Sequence, residues 1–269
     1  MNRYIKIILI GITILHGINL NAGQHAKDNS GILIRYHYLP GEVYRYKKLT
    51  TSKYDQYTTY LRILAKDSIG TGSFPLEYTI DSILLQDYAH NPALAPKISR
   101  LKDVKLTIAY DKYGRKPLQY HVDVLSSGYL SMFDNSDVET LFALPTKSIA
   151  FGKSWNSEKT DYNGHRSMQI QKFTNVLTST EMKQGHDCFR IDFNGNVSKE
   201  TYDGDLTLTD KGTVSGCYWI DRQKGILIAV ESETIFTGIT AKHPGLSPWM
   251  RPPLIKSDSF RSSLVLIGE

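Results

Sequence analysis

From residue 32 onward the chain alternates apolar or aromatic side chains with polar ones, in run after run separated by turn signals. The runs are ILIRYHY (32–38), VYRYKKL (43–49), YTTYLRIL (57–64), LEYTIDSILL (76–85), VKLTIAY (104–110), PLQYHVDV (117–124), MQIQKFTNVL (168–177), CFRIDF (188–193) and GILIAVESETIF (225–236). LPGE, DKYGR, NGN, YDGD and DRQKG carry the Gly, Pro, Asn and Asp that turns require. A period of two places successive side chains on opposite faces of a strand. Loops this short join antiparallel neighbours and leave no room for βαβ crossovers. The pattern predicts a mainly β (α+β) fold: a single large curved antiparallel sheet, or open half-barrel, with one or two short helices. The 17 tyrosines suit strands whose rings sit half in and half out of a core.

One helix has its own signal. In SDVETLFALP, Ser136 and Glu139 form a capping box, and Val138, Leu141 and Phe142 make an i, i+3, i+4 stripe that Pro145 ends. So short a helix needs the sheet to pack against. HNPALAPKIS (90–99) and AKHPGLSPWMRPP (241–253) are irregular. Without a repeat, a low-complexity tract or a linker, residues 23–269 form a single β-rich domain, long enough to bury a full core.

Residues 1–22 have the form of a secretory signal peptide. Arg3 and Lys6 precede the apolar run IILIGITILHGI, and small residues surround a cut after Ala22. The run is short for a membrane span; an uncleaved N-terminal anchor is the alternative. No Cys precedes Cys188, so no lipid-modified cysteine sits at the cut. Removing 1–22 takes away two basic residues and no acid, so the +5 of the whole chain falls to about +3. The basic residues are scattered, which singles out neither nucleic acid nor an anionic membrane surface as a partner. The expected location is therefore the periplasm or cell surface, with no transmembrane segment after cleavage.

Two cysteines in an exported chain suggest one disulfide, Cys188–Cys217. If 187–200 and 205–220 are long strands joined through Thr201–Gly204, the two cysteines face each other. Asn194-Gly195 offers a competing two-residue hairpin that would separate them by two strands. A reactive thiol is a third possibility, with His186 on the same strand face as Cys188.

Around DRQKG, Tyr218, Ile220, Ile226, Ile228 and Val230 build one apolar face. Cys217, Trp219, Leu227 and Ala229 make the other face apolar near the turn, before Glu231 and Glu233. A sheet with one wet face does not need Trp219 there, so something covers it: the short helix, the 241–253 loop or a ligand. Trp219, Leu227, Trp155 in FGKSWN, and Trp249 and Met250 in the proline-stiffened loop are the candidate ligand-binding residues.

Catalysis finds no support. There is no G-x-S-x-G elbow around a serine, and no glycine-rich phosphate loop that would hold a cofactor. Glu231 and Glu233 share a strand face, where solvation explains them as well as sugar hydrolysis does. His186, Cys188 and Cys217 lack zinc-site spacing, and Asp203, Asp205 and Asp210 do not fit a calcium loop, so no metal site is assigned.

YHYLPGEVYRYKK (36–48), ALPTKSIAFGKSWNSE (143–158) and GCYWIDRQKGIL (216–227) together resemble signatures of exported bacterial β-rich domains of unknown function. Pro40-Gly41, Gly152, Trp155, Asp221 and Gly225 are the matching positions. Those domains are distantly similar to the outer-membrane lipoprotein carriers (LolA-like). The resemblance implies an open, curved antiparallel sheet with helices over its concave face, and it implies no catalytic residue.

The expected function is a non-enzymatic exported protein that binds an apolar or amphipathic ligand, a lipid or lipoprotein, or another envelope protein, in a groove of the sheet. A cell-surface interaction module and an exported hydrolase are the alternatives. A transmembrane β-barrel is disfavoured by the helix signal and the Pro-rich loops.

Overall fold

A computed structural model describes residues 31–52, 56–68, 72–85, 105–116, 140–163, 167–203, 206–242 and 258–269. The residues of the expected signal peptide, the run at 117–124, the segment 90–99 and most of the 241–253 loop, with Trp249 and Met250, lie outside them.

Ten strands follow one another: β1 (Val43–Thr51), β2 (Gln56–Ala65), β3 (Ser73–Leu85), β4 (Lys105–Asp111), β5 (Ser154–Asn163), β6 (Ser167–Lys183), β7 (His186–Asp203), β8 (Leu206–Asp221), β9 (Leu227–Lys242) and β10 (Asp258–Gly268). They form one sheet in the order β4-β3-β2-β1-β10-β9-β8-β7-β6-β5. Every neighbouring pair is antiparallel. Two meanders, β1–β4 and β5–β10, are thus zipped together where β1 pairs β10. β5 and β10 carry weaker alternation than the runs named above, and the pattern alone did not mark them as strands.

β4 and β5 are the edges, and they do not pair with each other, so the sheet is not closed into a barrel. It nevertheless curls far round. Lys116, just past β4, donates to the Thr160 carbonyl of β5 at 3.3 Å and pairs with Asp161 at 3.5 Å. Glycine makes this bend possible. A Cβ on Gly195 would stand 2.0 Å from the Lys172 carbonyl oxygen, and one on Gly216 would stand 2.0 Å from that of Glu231. Neighbouring backbone occupies the space a side chain would need, as at the glycine kinks that curve a sheet.

This resolves the two pairings open for residues 187–220. Asn194-Gly195 is no turn: it lies inside β7, and the long hairpin forms. Its register runs Cys188↔Asp221, Asp192↔Cys217 and Asp203↔Leu206, four residues away from the one that would face the cysteines. On neighbouring strands four residues amount to roughly 13 Å, well beyond disulfide reach. Cys188 and Cys217 are accordingly free thiols, and the expected bridge is corrected.

The inner face holds the core. Tyr46, Tyr78, Tyr110, Tyr218, Leu61, Ile63, Leu177 and Ile191 are fully buried there. Residues 31–39 cross this face as an extended strap and are not the first strand of the sheet, as their alternation suggests. Ile34, Tyr36 and Tyr38 point down onto the core, while Leu33, Arg35, His37 and Leu39 face out. The strap is tied by the Ile32↔Ile149 bridge, by Tyr36 N–H to the Lys112 carbonyl at 2.8 Å and by His37 N–H to the Gly225 carbonyl at 2.8 Å. Alternation suits the strap because it needs one apolar side, as a strand does.

No helix occurs among the described residues. Residues 136–139 of the expected helix lie outside them, and 140–145 run without helical structure. Their apolar side chains still reach the sheet: Leu141 and Leu144 are buried, and Phe142 stacks on Tyr218 with ring centroids 4.5 Å apart.

Two buried tyrosines make opposite use of their hydroxyls. Tyr46 donates to the Leu227 carbonyl at 2.7 Å, while the Leu227 N–H donates to Tyr38 at 3.2 Å. These bonds satisfy backbone beside the register shift between Trp219 and Ile220. The Tyr218 hydroxyl is buried and has no partner among the described residues. In urea unfolding, Tyr46→Phe is expected to lose about 1–2 kcal/mol, because it strands a buried carbonyl. Tyr218→Phe is expected to change nothing or gain up to about 1 kcal/mol. The reverse order would refute this account of the two hydroxyls.

The outer face is polar: Arg190 pairs with Glu181, Lys183 with Glu231 and Arg261 with Glu233 across strands, and Arg190 pairs with Asp192 along β7. Apolar inward and charged outward is the inverse of a transmembrane barrel. No helix among the described residues is long and apolar enough to cross a membrane.

Candidate ligand-binding groove

Below the strap, the rows of inward side chains change from apolar to polar along the strands. Leu264, Val230, Tyr218, Ile191 and Leu177 form one row across β10 to β6. Thr234, Val214, Gly195, Phe173 and Ser157 form a later one, and Phe236, Gly212, Val197, Gln171 and Lys159 the next. Asp210, Lys199, Gln169 and Asp161 follow. Glycines at 195, 212 and 216 leave room between the larger side chains of these rows. The outcome is a groove of about 290 Å³ on the inner face. Phe142, Phe173 and Phe193 close its strap end; ring centroids lie 5.8 Å apart for Phe142–Phe173 and 5.5 Å for Phe173–Phe193. Thr50, Ser232, Ser262, Gln169 and Gln171 line the walls, and Phe236 packs edge-on against Phe260 at 6.0 Å.

Charged side chains occur in the later rows, and Lys48 lines the groove opposite Leu264. Asp161 is buried between Lys116 at 3.5 Å and Lys159 at 3.4 Å. Asp210 faces Lys199 across the β7–β8 ladder; burial pushes its carboxyl up, against the pull of that lysine.

Of the residues singled out from the sequence, Trp155, Leu227 and Trp219 are not among the groove's lining residues, and Trp249 and Met250 fall outside the described residues. Trp155 is on edge strand β5, where its indole N–H donates to the Ala143 carbonyl at 3.0 Å and pins the segment carrying Phe142. Leu227 is fully buried between the backbone bonds to Tyr38 and Tyr46. Trp219 is 3% exposed on the outer face. Its covering is supplied by neighbouring strands: the indole N–H donates to Glu181 at 2.5 Å, and the Lys183 ammonium sits 3.9 Å from the ring centroid. Such long charged side chains bury their stems on the ring and keep their heads in water. The groove went unseen because its lining comes from eight strands and the 140–142 segment, none of which carries a local motif.

His186 Nδ1 and Asp221 Oδ2 lie 2.7 Å apart, beside Cys188. This carboxylate–imidazole–thiol grouping is structural. Cys188 is fully buried, and burial together with the Asp221 carboxylate pushes its thiol up to about 12, so no thiolate is available. Asp221 Oδ1 accepts the Gln223 and Lys224 amides at 2.7 Å each and so shapes the DRQKG turn. Burial pushes Asp221 up, but the Lys224 amide, His186 and the Gln223 amide together hold it below the ordinary carboxylate value. Its contribution to stability is present above that ordinary value and is lost as pH falls through the depressed one. With a thiol reagent, the native protein is expected to leave Cys188 unmodified, and the denatured protein to take two adducts without prior reduction. Modification that requires a reductant would restore the disulfide.

The positions carrying the family resemblance are likewise turns and ties. Gly41 and Gly152 take positive φ in turns closed by Glu42 N–H to the Leu39 carbonyl and Lys153 N–H to the Ala150 carbonyl, each 3.1 Å. Gly225, also at positive φ, lies where a Cβ would meet the Arg35 carbonyl of the strap at 2.8 Å. Compared with protein-family models, curated proteins and solved structures, the chain matches none. The sheet and groove therefore define the class, a curled antiparallel sheet around an amphipathic cavity.

Proposed function

We propose that the protein is an exported, non-enzymatic binder of an amphipathic ligand, which it holds in the inner groove. The observation that supports this reading is the cavity of about 290 Å³, whose lining combines Phe142, Phe173, Phe193, Phe236 and Phe260 with Gln, Ser, Thr and Lys side chains. Small-ligand sites are concave, mostly apolar, and carry a few placed polar groups. Both thiols are buried and Asp221 is held in the DRQKG turn, which favours the groove as the contact surface. The signal-like form of residues 1–22 is what supports an exported location, in the periplasm or at the cell surface.

A delipidated sample titrated with an environment-sensitive naphthalene probe is expected to show saturable binding at one site per chain. Val214→Trp, which fills the groove from its wall, is expected to weaken that binding at least tenfold. Absence of saturable binding, or a Val214→Trp variant that folds and binds like the parent, would sink the proposal.

A further inference from the structure

On the basis of that reading, we infer that the ligand is a neutral sugar, gripped at its rim by a row of hydroxyl side chains and on its faces by phenylalanines. Thr50 of β1 stands in register between Tyr57 of β2 and Ser262 of β10, and Ser262 faces Ser232 of β9. All four line the groove. Beyond Ser232 the row reaches Gly216, which adds no side chain. Thr140 brings a further hydroxyl to the lining, from the segment that carries Phe142.

Two of these hydroxyls are unsatisfied. Thr50 is 8% and Thr140 6% exposed, and neither Oγ1 has a hydrogen-bond partner among the described residues. A buried hydroxyl without a partner costs free energy that an apolar side chain of the same shape avoids. Valine would therefore suit either position better if the groove served packing alone. Neither hydroxyl holds a bond that turning would break, so rotation about χ1 can bring it to a ligand that offers a partner.

The surroundings select the chemistry that completes the row. Each hydroxyl donates one bond and accepts others, so a set of them is matched in full only by groups that do both. A carboxylate only accepts and an ammonium only donates. Lys48, Lys159 and Lys199, which also line the groove, already interact within the protein. The hydroxyls are interleaved with apolar side chains: their row runs between one that holds Leu264 and Val230 and another that holds Phe260 and Val214. An alkyl chain laid there would cover the hydroxyls and leave them unpaired. A sugar ring matches the alternation, with C–H faces for the phenyl rings and a rim of hydroxyls that donate and accept. The cavity of about 290 Å³ is at the low end for small-ligand sites, which suits one or two such rings.

Competition against the naphthalene probe on the delipidated protein separates the possibilities. At least one of maltose, cellobiose, lactose, mannobiose and diacetylchitobiose is expected to displace the probe, and at a lower concentration than dodecanol does. Thr50→Val keeps the shape and removes the hydroxyl. It should leave the urea midpoint unchanged or raised, and lower the preference for that disaccharide over dodecanol about tenfold, the effect of one lost hydrogen bond. Thr50→Ser should restore the preference, and Ser262→Ala should lower it again. A reduced midpoint in Thr50→Val would show that its hydroxyl serves the fold and not a ligand. An unchanged preference in both Thr50→Val and Ser262→Ala would overturn the hydroxyl row as the binding edge. Displacement by dodecanol at a lower concentration than by any of the sugars would overturn the sugar assignment in favour of an acyl chain, leaving the groove reading intact. Displacement by neither would overturn both the inference and the reading beneath it.

Discussion

Gly216→Ala is expected to lose about 3 kcal/mol or more of unfolding free energy, an effect large enough to appear as poor expression. The added Cβ would lie 2.0 Å from the Glu231 carbonyl oxygen and 2.9 Å from the Phe193 ring. Neither neighbour can withdraw easily. The carbonyl belongs to β9 within the ladder, and Phe193 faces Gly216 in register and covers it, as aromatic side chains do over strand glycines. Relief requires β8 and β9 to flatten, which would widen the bend that forms the groove. Gly268→Ala is the control, because nothing lies within 4 Å of the Cβ it introduces near the end of β10. Urea midpoints for the two variants should separate widely. A Gly216→Ala midpoint matching that of Gly268→Ala would show that the bend does not depend on glycine.

Phe142→Ala should be comparably damaging, at about 3 kcal/mol. Phe142 is the keystone between the 140–149 segment and the sheet. Its ring lies parallel to Tyr218, at 4.5 Å and 6°, and 5.1 Å from the Phe193 centroid. Removing it leaves a void among three aromatic rings, which lose contacts and the favourable offset geometry. The backbone bond from the Phe142 N–H to the Tyr36 hydroxyl, 3.3 Å, remains in the variant. The loss therefore reports packing and not loop detachment. Phe142→Leu should recover more than half of it. A change below about 0.5 kcal/mol for Phe142→Ala would mean that this segment does not close the groove.

The turn chemistry was largely legible in the residues. DRQKG forms a turn because Asp221 accepts the amides of Gln223 and Lys224, and Gly225 supplies a positive φ. Pro40-Gly41 turns for a similar reason. Asn194-Gly195 carries an equally strong local signal and does not turn. There the glycine serves the close approach of β6, a demand made by a strand distant in sequence. Alternation at 32–38 was legible as one-sided burial, but a strap over a sheet and a strand within it impose the same pattern. Trp155 and Trp219 drew attention by size; they tie and fill the structure, while the groove is lined largely by Thr, Ser, Gln, Lys and Phe with no distinguishing spacing.

By itself, then, the sequence determined that the chain is antiparallel β, which side chains share a face along each strand, and where the β7–β8 and β8–β9 hairpins turn, at YDGD and DRQKG. Those properties follow from a period of two and from local backbone preferences, which act within a few residues. Only the tertiary structure decided the register of β7 against β8, and with it that Cys188 and Cys217 stay apart and unbonded. It also decided which face closes into a groove. Register and curvature depend on loop length, bulges and glycine contacts between strands. A shift of a few residues leaves every local pattern intact while moving each cross-strand neighbour.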